Sequence, residues 1–64
     1  MHAIYKKYEK LRDNRGVTDY RVAEDADVTR STFSDWRSGR SYPKFEKLQK
    51  IAAYFGVPIE YFLE

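Results

Sequence analysis

The sequence predicts an all-helical domain of five short helices, and three observations predict it. The run TDYRVAEDADVTRSTFSDWRSG, residues 18–39, has the spacings of two short helices meeting at a tight turn. Apolar residues on either side of that run recur at steps of three and four, and no stretch alternates apolar with polar as a half-buried strand would. Glycines 16, 39 and 56 fall where the helical patterns stop.

Ile4, Tyr8 and Leu11 mark the buried stripe of the first helix, which should end near Asn14 with Gly16 just beyond. Thr18 is placed to cap the second helix through its hydroxyl, and Asp19 adds negative charge at the positive end of the helix dipole. Val22, Ala23 and Ala26 share one face of that helix, and Ala23 is small where the next helix must cross closely. Asp27 sits where the chain must reverse, and Asp is among the few non-glycine residues that tolerate a left-handed backbone. Val28 plugs the corner, Thr29 offers a second cap, and residues 30–37 complete two turns of a third helix stopped by Gly39. Phe33 and Trp36 point inward, which leaves Arg30, Ser31, Ser34 and Asp35 on the outer face. Phe45, Leu48, Ile51, Ala52 and Phe55 mark the buried face of a fourth helix, opened by Pro43 and closed by Gly56. Pro58 opens a short fifth helix, Ile59 to Leu63, whose Phe62 and Leu63 fold back on the core.

Two helices joined in this way form a helix-turn-helix, for which duplex DNA is the first partner to consider. The segment resembles the DNA-binding domain of the lambda-repressor and Cro-like (XRE-type) family of phage and bacterial transcriptional regulators. The resemblance runs on through SGRSYPKFEKLQKIAAYFGVPIEYFLE, where a glycine ends the recognition helix and a basic loop with a proline leads to an amphipathic fourth helix. Gly-Val-Pro and a short last helix follow, so the likeness covers nearly all 64 residues. It implies one compact five-helix DNA-binding domain over residues 1–64, either a complete minimal regulator or part of a longer one.

Three positions depart from the family's pattern. Asp27 stands where glycine is usual, at some cost in strain. Asp19 stands where glutamine often grips a phosphate, a contact that an ionised carboxylate cannot make; the Tyr20 hydroxyl or bare helix amides are the replacements. Arg37 stands where glutamate is frequent, and its charge suits both a helix C-terminus and nearby phosphate.

The resemblance also implies a division of roles. Arg30, Ser31, Ser34 and Asp35 are the candidates for base edges, with Arg30 suited to guanine O6 and N7. Three roles stand open for Asp35: accepting from a cytosine amino group, repelling wrong sequences, or simply facing water. Ser31 and Ser34 permit close approach as much as they specify. Thr18, Tyr20, Thr29, Thr32, Arg37, Ser38, Arg40, Tyr42 and Lys44 are the candidates for backbone contact, Thr29 and Thr32 being caps otherwise. The loop of Arg40, Ser41, Tyr42 and Lys44 reads as a polar connector on composition alone and as a phosphate-facing loop by resemblance. Family members bind as dimers on near-palindromic sites, so a homodimer on a duplex operator is expected, with repression by steric occupancy of a promoter.

Composition bounds these readings. The net charge of +2 is a weak signal, but its distribution is uneven: residues 28–50 carry six Lys/Arg against two acids, while residues 18–27 carry one against four. Positive charge gathers on the first helix and on the segment from the third helix into the fourth, a polarity that would orient the domain on DNA. With no cysteine, disulfides and thiolate-zinc sites are excluded, and stability must come from packing, for which eleven aromatic residues supply the bulk. No signal peptide or membrane-spanning run is present, and a soluble cytoplasmic protein at the nucleoid is expected. His2 receives no role. A single terminal histidine, the absence of a glycine-rich phosphate loop and the absence of a His/carboxylate cluster give no support to an enzyme, a metal, a cofactor or a small-molecule substrate. Glu24, Asp25 and Asp27 read as a solvated acidic face. Two other function classes stand beside DNA binding: a protein-interaction module of antitoxin or anti-repressor type on the same fold, and the addressing domain of a longer enzyme such as a self-cleaving repressor.

Overall fold

A computed structural model describes residues 3–63, so His2 lies outside the described residues. Four α-helices follow one another: α1 Tyr5–Arg15, α2 Asp19–Ala26, α3 Arg30–Ser38 and α4 Phe45–Phe55. A single 3₁₀ turn, Ile59–Phe62, closes the domain, and the described residues contain no strand. The expected fifth α-helix is therefore this 3₁₀ turn. Four residues are too few to nucleate an α-helix, and the Tyr61 amide bonds to the Pro58 carbonyl (3.0 Å) three residues back.

Helix ends follow from local chemistry. The Thr18 hydroxyl accepts from the Arg21 amide (3.2 Å) and starts α2 as expected. Thr29 does not cap α3. Its hydroxyl lies 3.2 Å from that of Ser31 and 3.0 Å from that of Thr32, so the side-chain oxygens satisfy one another instead of a backbone amide. Asp27 ends α2 in the left-handed region (φ 61°), and Gly39 ends α3 there (φ 80°). Lys50 of α4 supports the Asp27 corner, its Nζ reaching the Asp27 carbonyl (3.5 Å) and carboxylate (3.7 Å).

The core is an aromatic stack closed by aliphatic side chains. Tyr8 of α1 stacks on Phe33 (4.8 Å between ring centroids) and Trp36 (5.3 Å) of α3, and Phe62 meets Trp36 edge-on at 6.1 Å. Val22, Ala23 and Ala26 of α2 and Leu48, Ile51, Ala52 and Phe55 of α4 complete it. The Trp36 indole N–H donates to the Ala3 carbonyl (3.1 Å) and the Ile4 amide to the Phe62 carbonyl (3.0 Å), which fasten the N-terminal segment across the end of the bundle. Phe45 is the exception to the expected stripe on α4: it is 64% exposed, because as the first residue of the helix it projects beyond the elements that cover Leu48 and Ile51.

Candidate nucleic-acid interface

The left-handed stop at Gly39 and the buried face of α3 decide which side chains are left outside. With Phe33 and Trp36 turned inward, Arg30, Ser31, Ser34, Arg37 and Ser38 are exposed, and Asp35 and Thr32 are half-buried at the edge of the helix. A groove of about 290 Å³ runs between α3 and the loop that leads to α4, lined by Thr29, Ser31, Thr32, Asp35, Ser41, Tyr42, Pro43, Lys44 and Lys47. It gathers six of the expected site residues. On the other side of Tyr42, a shallower depression of about 370 Å³ holds Arg37, Ser38 and Gly39 against the N-terminal residues Ala3, Ile4 and Tyr5.

Asp35 is the only acid lining the first groove, and Arg40 partly neutralises it at 3.5 Å. Arg40 remains largely exposed (78%), so this pair holds the loop only loosely. The backbone does more: the Arg40 and Ser41 amides both donate to the Asp35 carbonyl (2.9 and 3.3 Å), and the Ser38 hydroxyl donates to the same oxygen (3.1 Å). Lys44 and Lys47 supply cationic groups to the groove wall. Lys47 was not among the expected site residues, and Ser41 was expected only as a member of the phosphate-facing loop. A signal for Lys47 existed, since it lies three residues after Lys44, in the first turn of the helix that Lys44 precedes.

The N-terminus of α2 forms the second part of the surface. Asp19 turns away from it, its Oδ1 accepting from the Tyr8 hydroxyl (2.6 Å) and from Arg12 (3.0 Å), both of α1. Burial, reinforced by the hydrogen bond to Asp19, holds the Tyr8 phenol well above its ordinary pKa. Partial burial opposes the charge on Arg12, yet the hydrogen bonds to Asp19 and Asp13 outweigh it and raise its pKa. Thr18 and the 55%-exposed Tyr20 are left facing outward. The Arg30 guanidinium lies over the Tyr20 ring, 5.0 Å from its centroid, which joins the start of α2 to the start of α3. Thr18, Tyr20, Arg30, Ser34 and Arg40 thus lie outside both depressions.

The expected acidic face is exposed at Glu24, Asp25 and Asp27, with Asp25 also engaged by its neighbours. Asp25 is paired with Arg21 (2.9 Å) and accepts from the Tyr54 hydroxyl (3.2 Å). No helix among the described residues is long and apolar enough to cross a membrane.

Comparison with known proteins agrees with the helix-turn-helix fold. Residues 9–62 match the helix-turn-helix family HTH_3. The chain is 36% identical over 55 residues to the HTH-type transcriptional activator BcrR of Enterococcus faecalis, covering 86% of this chain and 27% of that protein. It is 34% identical over 53 residues to the cryptic phage CTXphi transcriptional repressor RstR of Vibrio cholerae, covering 83% of this chain and 48% of that one. The crystal structure of a transcriptional regulator from Listeria innocua superposes with a TM-score of 0.75 at 28% identity, over 94% of this chain and 56% of the other. The chain thus spans about a quarter and about half of the two curated relatives' lengths.

Proposed function

The chain belongs to the helix-turn-helix family HTH_3, and from that premise we propose that it binds double-stranded DNA in a sequence-specific manner and regulates transcription. Residues 30–37 enter the major groove, and the loop from Ser38 to Lys44 runs along the sugar-phosphate backbone. The observation that carries this reading is the division of the surface around α3. An exposed helical face bearing Arg30, Ser31 and Ser34 adjoins a hydroxyl-lined groove walled by Lys44 and Lys47. The first is suited to base edges and the second to phosphate oxygens.

Of the two curated relatives RstR is a repressor and BcrR an activator; we take the repressor's sign, by occupancy of a promoter, and a homodimer on a near-palindromic operator as the docking arrangement. The role is one of binding, with no catalytic step and no cofactor.

Arg30→Ala and Arg40→Ala test the reading. Binding is measured to a site selected from random duplexes, to its single-base variants and to random duplex, each at several salt concentrations. Arg30→Ala should relax preference at one base position per half-site, at a cost of about 1 to 3 kcal/mol. Arg40→Ala should weaken all duplexes alike and reduce the salt slope by about one per protomer. Exchanged effects would mean that α3 does not lie in the groove, and salt-insensitive behaviour of both variants would favour a protein partner instead.

A further inference from the structure

We infer that Tyr20 determines sequence specificity without reading a base itself, by holding the Arg30 guanidinium on the face of its ring; this rests on the DNA-binding role of Arg30 proposed above. Three observations lead there. The Arg30 guanidinium carbon lies 5.0 Å from the Tyr20 ring centroid, within the range of a cation–π contact. Among the described residues no carboxylate pairs with Arg30, nor with Arg15 or Arg37, whereas Arg12, Arg21 and Arg40 meet one at 3.0, 2.9 and 3.5 Å, so the ring is the partner shown for the Arg30 guanidinium. The acid nearest in sequence to Tyr20 is Asp19, and it is committed to Tyr8 and Arg12 on α1.

The chemistry of the two kinds of partner differs in a way that matters for recognition. A carboxylate occupies the edge of a guanidinium, where its N–H donors lie, and those same donors must reach guanine O6 and N7. An aromatic ring attracts the cation through its face and leaves the N–H edge unoccupied. Tyr20 therefore restricts the many rotamers of a long side chain at the first residue of α3 while keeping its donors available. Asp19, by turning inward, leaves the ring as the partner at this corner.

The contact is made by the ring, so it should not depend on the phenol hydroxyl. This separates positioning from the alternative in which the Tyr20 hydroxyl donates to a phosphate. The experiment compares wild type, Tyr20→Phe, Tyr20→Leu, Arg30→Ala and the Tyr20→Leu/Arg30→Ala double variant on the selected duplex, its single-base variants and random duplex. Circular dichroism confirms that each is folded, which the 55% exposure of Tyr20 favours. Tyr20→Phe should keep the base preference. Tyr20→Leu should reduce discrimination by about two- to five-fold, and only at the position that Arg30→Ala relaxes. In the Arg30→Ala background, Tyr20→Leu should change nothing further at that position.

Equal losses with Phe and Leu, spread evenly over all duplexes, would overturn the inference in favour of a phosphate contact by the hydroxyl. If Arg30→Ala relaxes one position and Tyr20→Leu does not, the positioning role alone falls. If Arg30→Ala leaves every base preference intact, the role of Arg30 falls and that of Tyr20 with it.

Discussion

At Asp27 one residue carries the turn between α2 and α3, and its backbone is the one non-glycine φ above zero among the described residues. Two effects compete in Asp27→Gly. Glycine removes the steric penalty of the left-handed region, about 1 kcal/mol, but it also makes the unfolded chain more flexible. The lost side chain makes one ion pair, 3.7 Å from Lys50, while 95% exposed, a contact of little worth in water. Lys50 keeps its contact with the residue 27 carbonyl in either case. We therefore expect Asp27→Gly to raise the melting temperature by about 2 to 4 °C. A fall of that size in a thermal melt would assign the turn's stability to the Asp27–Lys50 pair.

At the scale of elements, α1 and α2 are tied by the hydrogen bond from Tyr8 to Asp19, with Arg12 alongside. The tie has a pH dependence whose sign follows from the raised Tyr8 pKa. The folded state keeps the phenol protonated at a pH where the unfolded chain has lost its proton. Its stabilisation is complete below pH 10, the ordinary tyrosine value, and is lost as the pH rises beyond it. Urea unfolding at pH 8 to 11 should show wild type losing stability above about pH 10, by up to about 1.4 kcal/mol per pH unit from this one group. Tyr8→Phe should be less stable at neutral pH and flatter above 10. Parallel curves would place the alkaline loss elsewhere, Tyr5 being the next candidate because burial and Asp19 raise its pKa as well. The pairing itself was not legible in the sequence. Periodicity identified Tyr8 and the partly buried Leu11 on the inward face of α1, while Ile4 precedes the helix; the capping role of Thr18 could be read locally, but the Tyr8–Asp19 bond joins residues 11 apart through the angle between two helices. The same holds for Tyr20 and Arg30. Phe45 shows the converse: its spacing from Leu48 fitted the buried stripe, and spacing says nothing of how far neighbouring elements extend to cover it.

For the molecule as a whole, the aromatic stack is the shared support of the core and of the outward face of α3. Trp36 is 2% exposed; its ring meets Tyr5, Tyr8, Phe33 and Phe62, and its N–H holds the Ala3 carbonyl. One side chain thereby joins the N-terminal segment, α1, α3 and the 3₁₀ turn. The same inward turn of Trp36 and Phe33 leaves Arg30, Ser31 and Ser34 outside, so the position of the candidate interface depends on the packing behind it. Trp36→Ala should cost about 3 to 5 kcal/mol, the price of a cavity in a core with no larger element to collapse into it. A 64-residue domain has about 3 to 10 kcal/mol in total, at the usual stability per residue. The variant should therefore be largely or wholly unfolded near room temperature, with helical circular dichroism and DNA binding lost together. Trp36→Phe, which keeps a ring but not the N–H, should fold with a lower melting temperature and bind duplex at low temperature with unchanged base preference. If Trp36→Ala instead stays helical to the wild-type melting temperature and loses only DNA affinity, the indole belongs to the interface and the stack of Tyr8, Phe33 and Phe62 holds the fold without it.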